Sequence, residues 1–233
     1  SLDSGLRLVE GEPPHPECVR LLTTLANDRW SAQAQQDWET AERYARTAVA
    51  MGEQLDAPVE LSAALGALDT VYGARGLYRE RVQLAQRRLA LSRDPRFGDL
   101  RERIDLLCQA GNALAFVGDH APALPHLLEA ERLAERIRDV SQHVYALGLQ
   151  AQCFFGLDRW DEMLQIEAKR LALEERYGRD RVDRMCFYCG LSANVLALRG
   201  EVDQSHARRD EAYATMVGFW GGPPEAWAPV GHY

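Results

Sequence analysis

Cys186-Phe187-Tyr188-Cys189 has the spacing at which two thiolates share a zinc ion or cycle through a disulfide. Zinc would need two further ligands, and no second CxxC and no histidine at ligand spacing accompanies this one, so the pair reads as thiols packed on a helix face. His120 and His126, six residues apart, fall on different faces of a helix and make no metal pair. The carboxylates of Glu174-Glu175 sit among other charges, where solvation rather than acid–base work is the ordinary role. HExxH, GxxxxGK[ST] and GxSxG are absent, and Gly66, Gly73 and Gly76 do not form a dinucleotide fingerprint. The expectation is a protein that is not an enzyme, with no catalytic residue, metal or cofactor.

Polar residues of another kind recur. Thr70, Asn112, Gln152 and Asn194 each interrupt an apolar stretch, and Trp30 holds the corresponding place earlier in the chain. An amide side chain carries both a donor and an acceptor, so a row of them grips the backbone of an extended chain whatever its sequence. One and two turns before these positions stand Asp105 and Cys108, Tyr145 and Gly148, and Phe187 and Gly190, which offer aromatic pockets and close approach. The expected ligand-binding residues are therefore Thr70, Asn112, Gln152, Asn194, Tyr145, Phe187 and Trp30. The same amides serve equally well to hydrogen-bond neighbouring helices together. Exposure on an inner wall favours binding, and burial with satisfied partners favours the structural role.

Such a row needs a periodic scaffold. Each of its members lies eight residues before the last residue of a turn: Gln36-Asp37-Trp38, Gly76-Leu77-Tyr78, Gly118-Asp119-His120, Asp158-Arg159-Trp160 and Gly200-Glu201-Val202. From Trp38 through Tyr78, His120 and Trp160 to Val202 the steps are 40, 42, 40 and 42 residues, which implies five helix-turn-helix units. In the third unit Leu106, Leu107, Ala110, Leu114 and Val117 make one broad stripe on the first helix, and Leu124, Leu127, Leu128, Glu131 and Leu133 a less perfect one on the second. Pro122 and Pro125 are expected in the first turn of that second helix, where no backbone N–H is required. Pro58, Pro95 and Tyr177-Gly178-Arg179-Asp180 punctuate the joins between units. Trp38, Tyr78 and Trp160 are placed to wedge between the helices of their own hairpins. A single hairpin cannot bury its apolar faces, so neighbours must stack.

The units resemble tetratricopeptide (TPR) repeats, in the longer 40–42-residue form found in sensory and scaffold regions of large bacterial ATPase-type transcriptional regulators and in motor light chains. The small-residue positions that carry the resemblance are Gly111, Ala151 and Ala193 in first helices, and Ala41, Ala123, Ala48, Ala130 and Ala212 in second helices. Arg29 and Asp69 depart from the pattern at the first small position, Arg81, Met163 and Ser205 at the second, and Arg88 and Arg170 at the third. The closing proline is missing or displaced to Pro58 and Pro95. The resemblance implies an all-α, right-handed superhelical solenoid of about five antiparallel hairpins whose first helices line a concave groove. It also implies a non-catalytic module that binds a protein or peptide segment or a small effector, in a regulatory, signalling or transcriptional role. Structural self-assembly with an empty groove is the alternative, and a homo-oligomer is compatible with either.

The organisation expected is an N-terminal extension or partial repeat over 1–18, five hairpins over 19–217, and a Gly/Pro/aromatic tail over 218–233. The tail, GFWGGPPEAWAPVGHY, reads either as a segment docked on the solenoid end or in the groove, or as a linker. The first residue is Ser1 rather than Met, as expected of a piece of a longer chain. A net charge of −8 disfavours general nucleic-acid binding, and the arginine clusters Arg87-Arg88, Arg101/Arg103, Arg136/Arg138 and Arg208-Arg209 read as solvated faces laced with ion pairs. No membrane-length apolar run is present, and the start of the chain lacks the pattern of a signal peptide. Five cysteines in mostly helical contexts point to reduced thiols and a cytoplasmic location.

Overall fold

A computed structural model describes residues 13–30, 37–178 and 190–220, and among them every regular element is an α-helix. In chain order they are α1 (Pro16–Trp30), α2 (Trp38–Leu55), α3 (Pro58–Ala74), α4 (Tyr78–Leu91), α5 (Leu100–Phe116), α6 (His120–Ile137), α7 (Val140–Gly156), α8 (Trp160–Tyr177), α9 (Gly190–Leu198) and α10 (Val202–Trp220). The chain divides into two compact units, 1–113 and 114–233. The first holds α1 to α4 and most of α5, the second α6 to α10.

One turn design explains why the described helices pair. Gly76, Gly118, Asp158 and Gly200 occupy the same place in successive turns, and all have positive φ, from 56° to 87°. The N–H of the residue after each reaches back across the helix end: Leu77 to the Tyr72 carbonyl, Asp119 to Leu114, Arg159 to Phe154 and Glu201 to Leu196, every one at 2.9 Å. This closes the last helical turn in a Schellman arrangement and sends the chain back after three residues. Asp158 adopts left-handed backbone without glycine's freedom, a conformation that acidic and amide residues accept more readily than most.

Several helices start on side-chain caps. Asp37, in the turn of the first hairpin, accepts from the Thr40 N–H at 3.1 Å; at joins between hairpins Asp139 accepts from Gln142 at 3.1 Å, and Asp99 from Arg101 at 2.8 Å and Glu102 at 3.1 Å. Pro58 begins α3.

In the first unit Val19, Leu22 and Ala26 of α1 pack with Tyr44, Ala45 and Ala48 of α2 and Ala64, Ala67 and Leu68 of α3. In the second, Leu124, Leu127 and Leu133 of α6 and Val144, Leu147 and Leu149 of α7 are buried. Two sequence expectations are corrected. Leu128 is 48% exposed and Val117 38% exposed, so neither belongs to its core stripe. Pro125 stands in the second turn of α6, where it removes a hydrogen bond that the Ala121 carbonyl would otherwise accept. His120 lies against Gly156 of α7, where an added Cβ would collide with its ring.

Every described position of the small-residue pattern is buried, whether or not a small residue fills it. Ala41, Ala48, Ala123 and Ala130 are fully enclosed, but so are Asp69, Arg81, Arg88, Met163 and Arg170. The departures are therefore core residues with their own partners.

Candidate ligand-binding face

Arg81 and Arg88, seven residues apart on α4, project from one face between α3 and α5. Arg81 makes a two-pronged ion pair with Asp69, Nε to Oδ1 at 3.1 Å and Nη2 to Oδ2 at 3.0 Å, and also reaches Gln109 at 3.4 Å. Arg88 donates to Ser62 Oγ at 3.2 Å, to Glu102 at 2.7 Å and to Asp105 at 2.7 Å, while its Nη1 is buried without a hydrogen-bond partner. Gly66 and Gly73 on α3 provide the space: an added Cβ would stand 2.9 Å from the Arg88 guanidinium and 3.3 Å from that of Arg81. Burial alone would lower the pKa of Arg88, but Asp105 and Glu102 hold it above its ordinary value. Burial raises the Asp69 carboxyl despite the Arg81 charge beside it. It raises Glu102 likewise.

Glu102, Asp105 and Gln109 follow one another at helical spacing on α5, and all three bind the arginines. Asn112 continues that spacing and is only 9% exposed. Thr70 is partly exposed, and its hydroxyl donates to the Gly66 carbonyl of its own helix at 3.1 Å. Arg88, taken from sequence as one of a solvated Arg87-Arg88 pair, is enclosed; Arg87 is exposed and pairs with Glu53. Trp30 ends α1, and its side chain lies outside the described residues.

The second unit is different. On α7, Tyr145, Gly148, Gln152 and Phe155 are each partly exposed, three or four residues apart, and form one half-open stripe. Gln152 Oε1 is out of reach of solvent and has no hydrogen-bond partner. One repeat further on, Asn194 of α9 is exposed, and Gly190 is partly so. Phe187 and the CxxC at Cys186 and Cys189 lie outside the described residues. The helices that carry this stripe, 17 and 9 residues long, contain no Asp, Glu, Lys or Arg, although such residues make up 27% of the chain. Structural polar work in this unit is done elsewhere. Gln150, fully buried, donates to Glu131 at 2.8 Å, and Lys169 donates to the same carboxylate at 2.8 Å, with His143 Nε2 3.9 Å away. Burial opposes the charge on Glu131, but these donors outweigh it and hold the carboxyl at about 2. Arg170, at the third small position, pairs with Glu167 and Glu174 at 2.9 Å and Glu211 at 3.3 Å. Ser205, at the second, donates to the Ala193 carbonyl at 2.8 Å.

Consecutive helices pack as repeated hairpins within each unit, and the turn between them is built the same way each time. The fold is that of TPR-like helical repeats. TPR-like repeats of a kinesin light chain from Podosopora anserina match with a TM-score of 0.67 at 14% identity, over 88% of this chain and 97% of that one. BtubC (BKLC) from P. vanneervenii matches at 0.73 and 15%, over 96% of this chain and 90% of that one. Aspartyl phosphate phosphatase F from Bacillus subtilis matches at 0.66 and 12%, over 95% and 66%. No family model matches the chain, nor does any curated protein in sequence. The similarity is one of fold.

Sequence reasoning missed Phe155, which continues the half-open α7 stripe, and the partners of the buried arginines. A signal for the latter was present, since Asp69, Arg81 and Arg88 break the small-residue pattern together in a single repeat. Among the described residues no group of three or more His, Cys, Asp or Glu side chains is placed to hold a metal ion, and no helix is long and apolar enough to cross a membrane.

Proposed function

We propose that this chain is a non-catalytic protein-interaction module, and that an extended segment of a partner protein lies along the first helices of the second unit. The single observation that carries the reading is the half-open stripe of Tyr145, Gly148, Gln152 and Phe155 on α7, followed in register by Asn194 on α9. The aromatic rings offer large apolar contact area, the glycine lets a backbone come close, and the amides pair with peptide groups. The unmet Gln152 oxygen is an acceptor for such a group once the side chain turns outward. A regulatory or scaffold region of a bacterial cytoplasmic protein, with a peptide or a small effector as ligand, is the setting this reading fits.

The test is selection of peptides from a random display library against the full chain, followed by titration of the tightest. Replacing Gln152 or Asn194 by alanine is expected to weaken binding tenfold or more without changing Tm, and Thr70→Ala to leave it unaltered. Equal affinity in all three variants would overturn the assignment.

A second reading, self-assembly, draws on a separate observation. Leu198, Val202 and Tyr213 on the last described hairpin are 66%, 53% and 49% exposed. Sedimentation equilibrium over a hundredfold concentration range separates the two readings, since self-assembly requires the mean mass to rise with concentration.

A further inference from the structure

We infer that the occupant of the α7–α9 face, in the absence of a partner, is the chain's own segment 221–233, GGPPEAWAPVGHY, held in cis. The inference rests on the reading of that face given above and names a competitor for it. The segment lies outside the described residues, so the case is one of complementarity and reach.

Complementarity comes from charge and shape. Among the described residues neither α7 nor α9 carries an Asp, Glu, Lys or Arg, and the segment has one charged side chain, Glu225, in thirteen residues. Charged polypeptide would lose hydration against such a surface without recovering an ion pair, whereas a neutral one loses little. Pro223, Pro224 and Pro229 favour an extended backbone with few N–H groups and little entropy left to lose on docking. Trp227 and Tyr233 supply rings to lie beside Tyr145 and Phe155, and the glycine at 148 leaves room for a backbone to approach.

Reach permits this face and excludes the Val202 end of the other exposed apolar surface; Tyr213, nearer Trp220 on α10, is separated by the crosslink. A Cβ at Gly190 would stand 3.9 Å from Ala212, so α10 passes the start of α9 there. Trp220 lies eight residues later, roughly 12 Å along the axis, and α7 is about 10 Å further across. Trp227, seven residues beyond Trp220, reaches at most about 23 Å, enough to arrive beside Tyr145 and Gly148. The last six residues then have roughly 20 Å in which to run towards Gln152 and Phe155. Val202 is at the far end of α10, about 27 Å from Trp220, and Trp227 cannot reach it.

The experiment uses the full chain with Trp227 replaced by the photo-crosslinker p-benzoylphenylalanine, irradiated and mapped by mass spectrometry. The expected product is a monomer linked within residues 141–155 or 190–198. Its yield should be unchanged between 50 and 500 mM NaCl and fall at least fivefold in the presence of Gln152→Ala. A link to α10, a link to a second copy, or no link overturns the inference. Addition of a saturating display-selected peptide is expected to suppress the link. If a selected peptide binds while residue 227 links elsewhere, the cis inference falls and the partner reading stands. If the link forms and no peptide binds, the partner reading falls and the cis inference stands.

Discussion

Gly66 on α3 and Arg88 on α4 are a matched pair: the missing side chain of the first is the space occupied by the guanidinium of the second, with 2.9 Å between Nη1 and the position of an added Cβ. In the pattern that these repeats resemble, position 88 takes a small residue. Here the large one is accommodated because its neighbour on the facing helix has no side chain and because Ser62, Glu102 and Asp105 meet its donors.

The pairing predicts a change of sign. Gly66→Ala in the wild-type chain forces the Arg88 head group to move and should cost about 1–3 kcal/mol. The same substitution in an Arg88→Ala background meets an empty site, where alanine's better helix propensity should stabilise by about 0.5–1 kcal/mol. Urea unfolding of the four proteins in the cycle measures both values, and two effects of the same sign would show that the residues are not coupled.

Asp69 and Arg81 should behave as a unit. Removing one partner leaves the other charge buried and uncompensated, so Arg81→Ala or Asp69→Ala alone is expected to cost about 3–5 kcal/mol. The double variant, which restores small residues at two pattern positions, should recover more than half of that loss. Thermal or urea unfolding of the three variants checks it, and losses that simply add would contradict the paired role.

Glu131 sets an acid limit. Its carboxyl has a folded-state pKa of about 2, depressed from 4.5 by the donors around it. A depressed carboxyl contributes stability that is fully present above the unfolded value and is lost as pH falls through the folded one. Stability of the wild-type chain should therefore decline between about pH 4.5 and pH 2, and Glu131→Gln should flatten that part of the curve while lowering stability at pH 7. Parallel curves for the two proteins would remove Glu131 as the source.

How legible these features were depends on whether their causes are local. Turn positions were readable because a left-handed residue two places before each second helix is a chain-level requirement, met by Gly76, Gly118, Gly200 and, unusually, Asp158. The stack was readable because apolar periodicity reports burial. Roles of individual polar residues were not. Asn112 and Gln152 are equivalent in sequence, yet Asn112 is nearly enclosed in a unit whose α5 stripe is engaged by arginines from α4, while Gln152 stands on a half-open helix without charges. That difference arises from side chains on other helices, so no window around either residue contains it. Arg88 was misjudged for the same reason, since its neighbour Arg87 is exposed and adjacent residues in a helix point about 100° apart.

The most direct test of the account is the salt dependence of the affinity of the display-selected peptide for the full chain, measured by calorimetry from 50 to 500 mM NaCl. Recognition by α7 and α9, whose described residues include no Asp, Glu, Lys or Arg, leaves little for salt to screen, so Kd should vary less than twofold, and tenfold weakening by Gln152→Ala should persist at both ends of the range. An affinity that falls tenfold or more with added salt would place the ligand on charged residues elsewhere in the chain and contradict the proposed face.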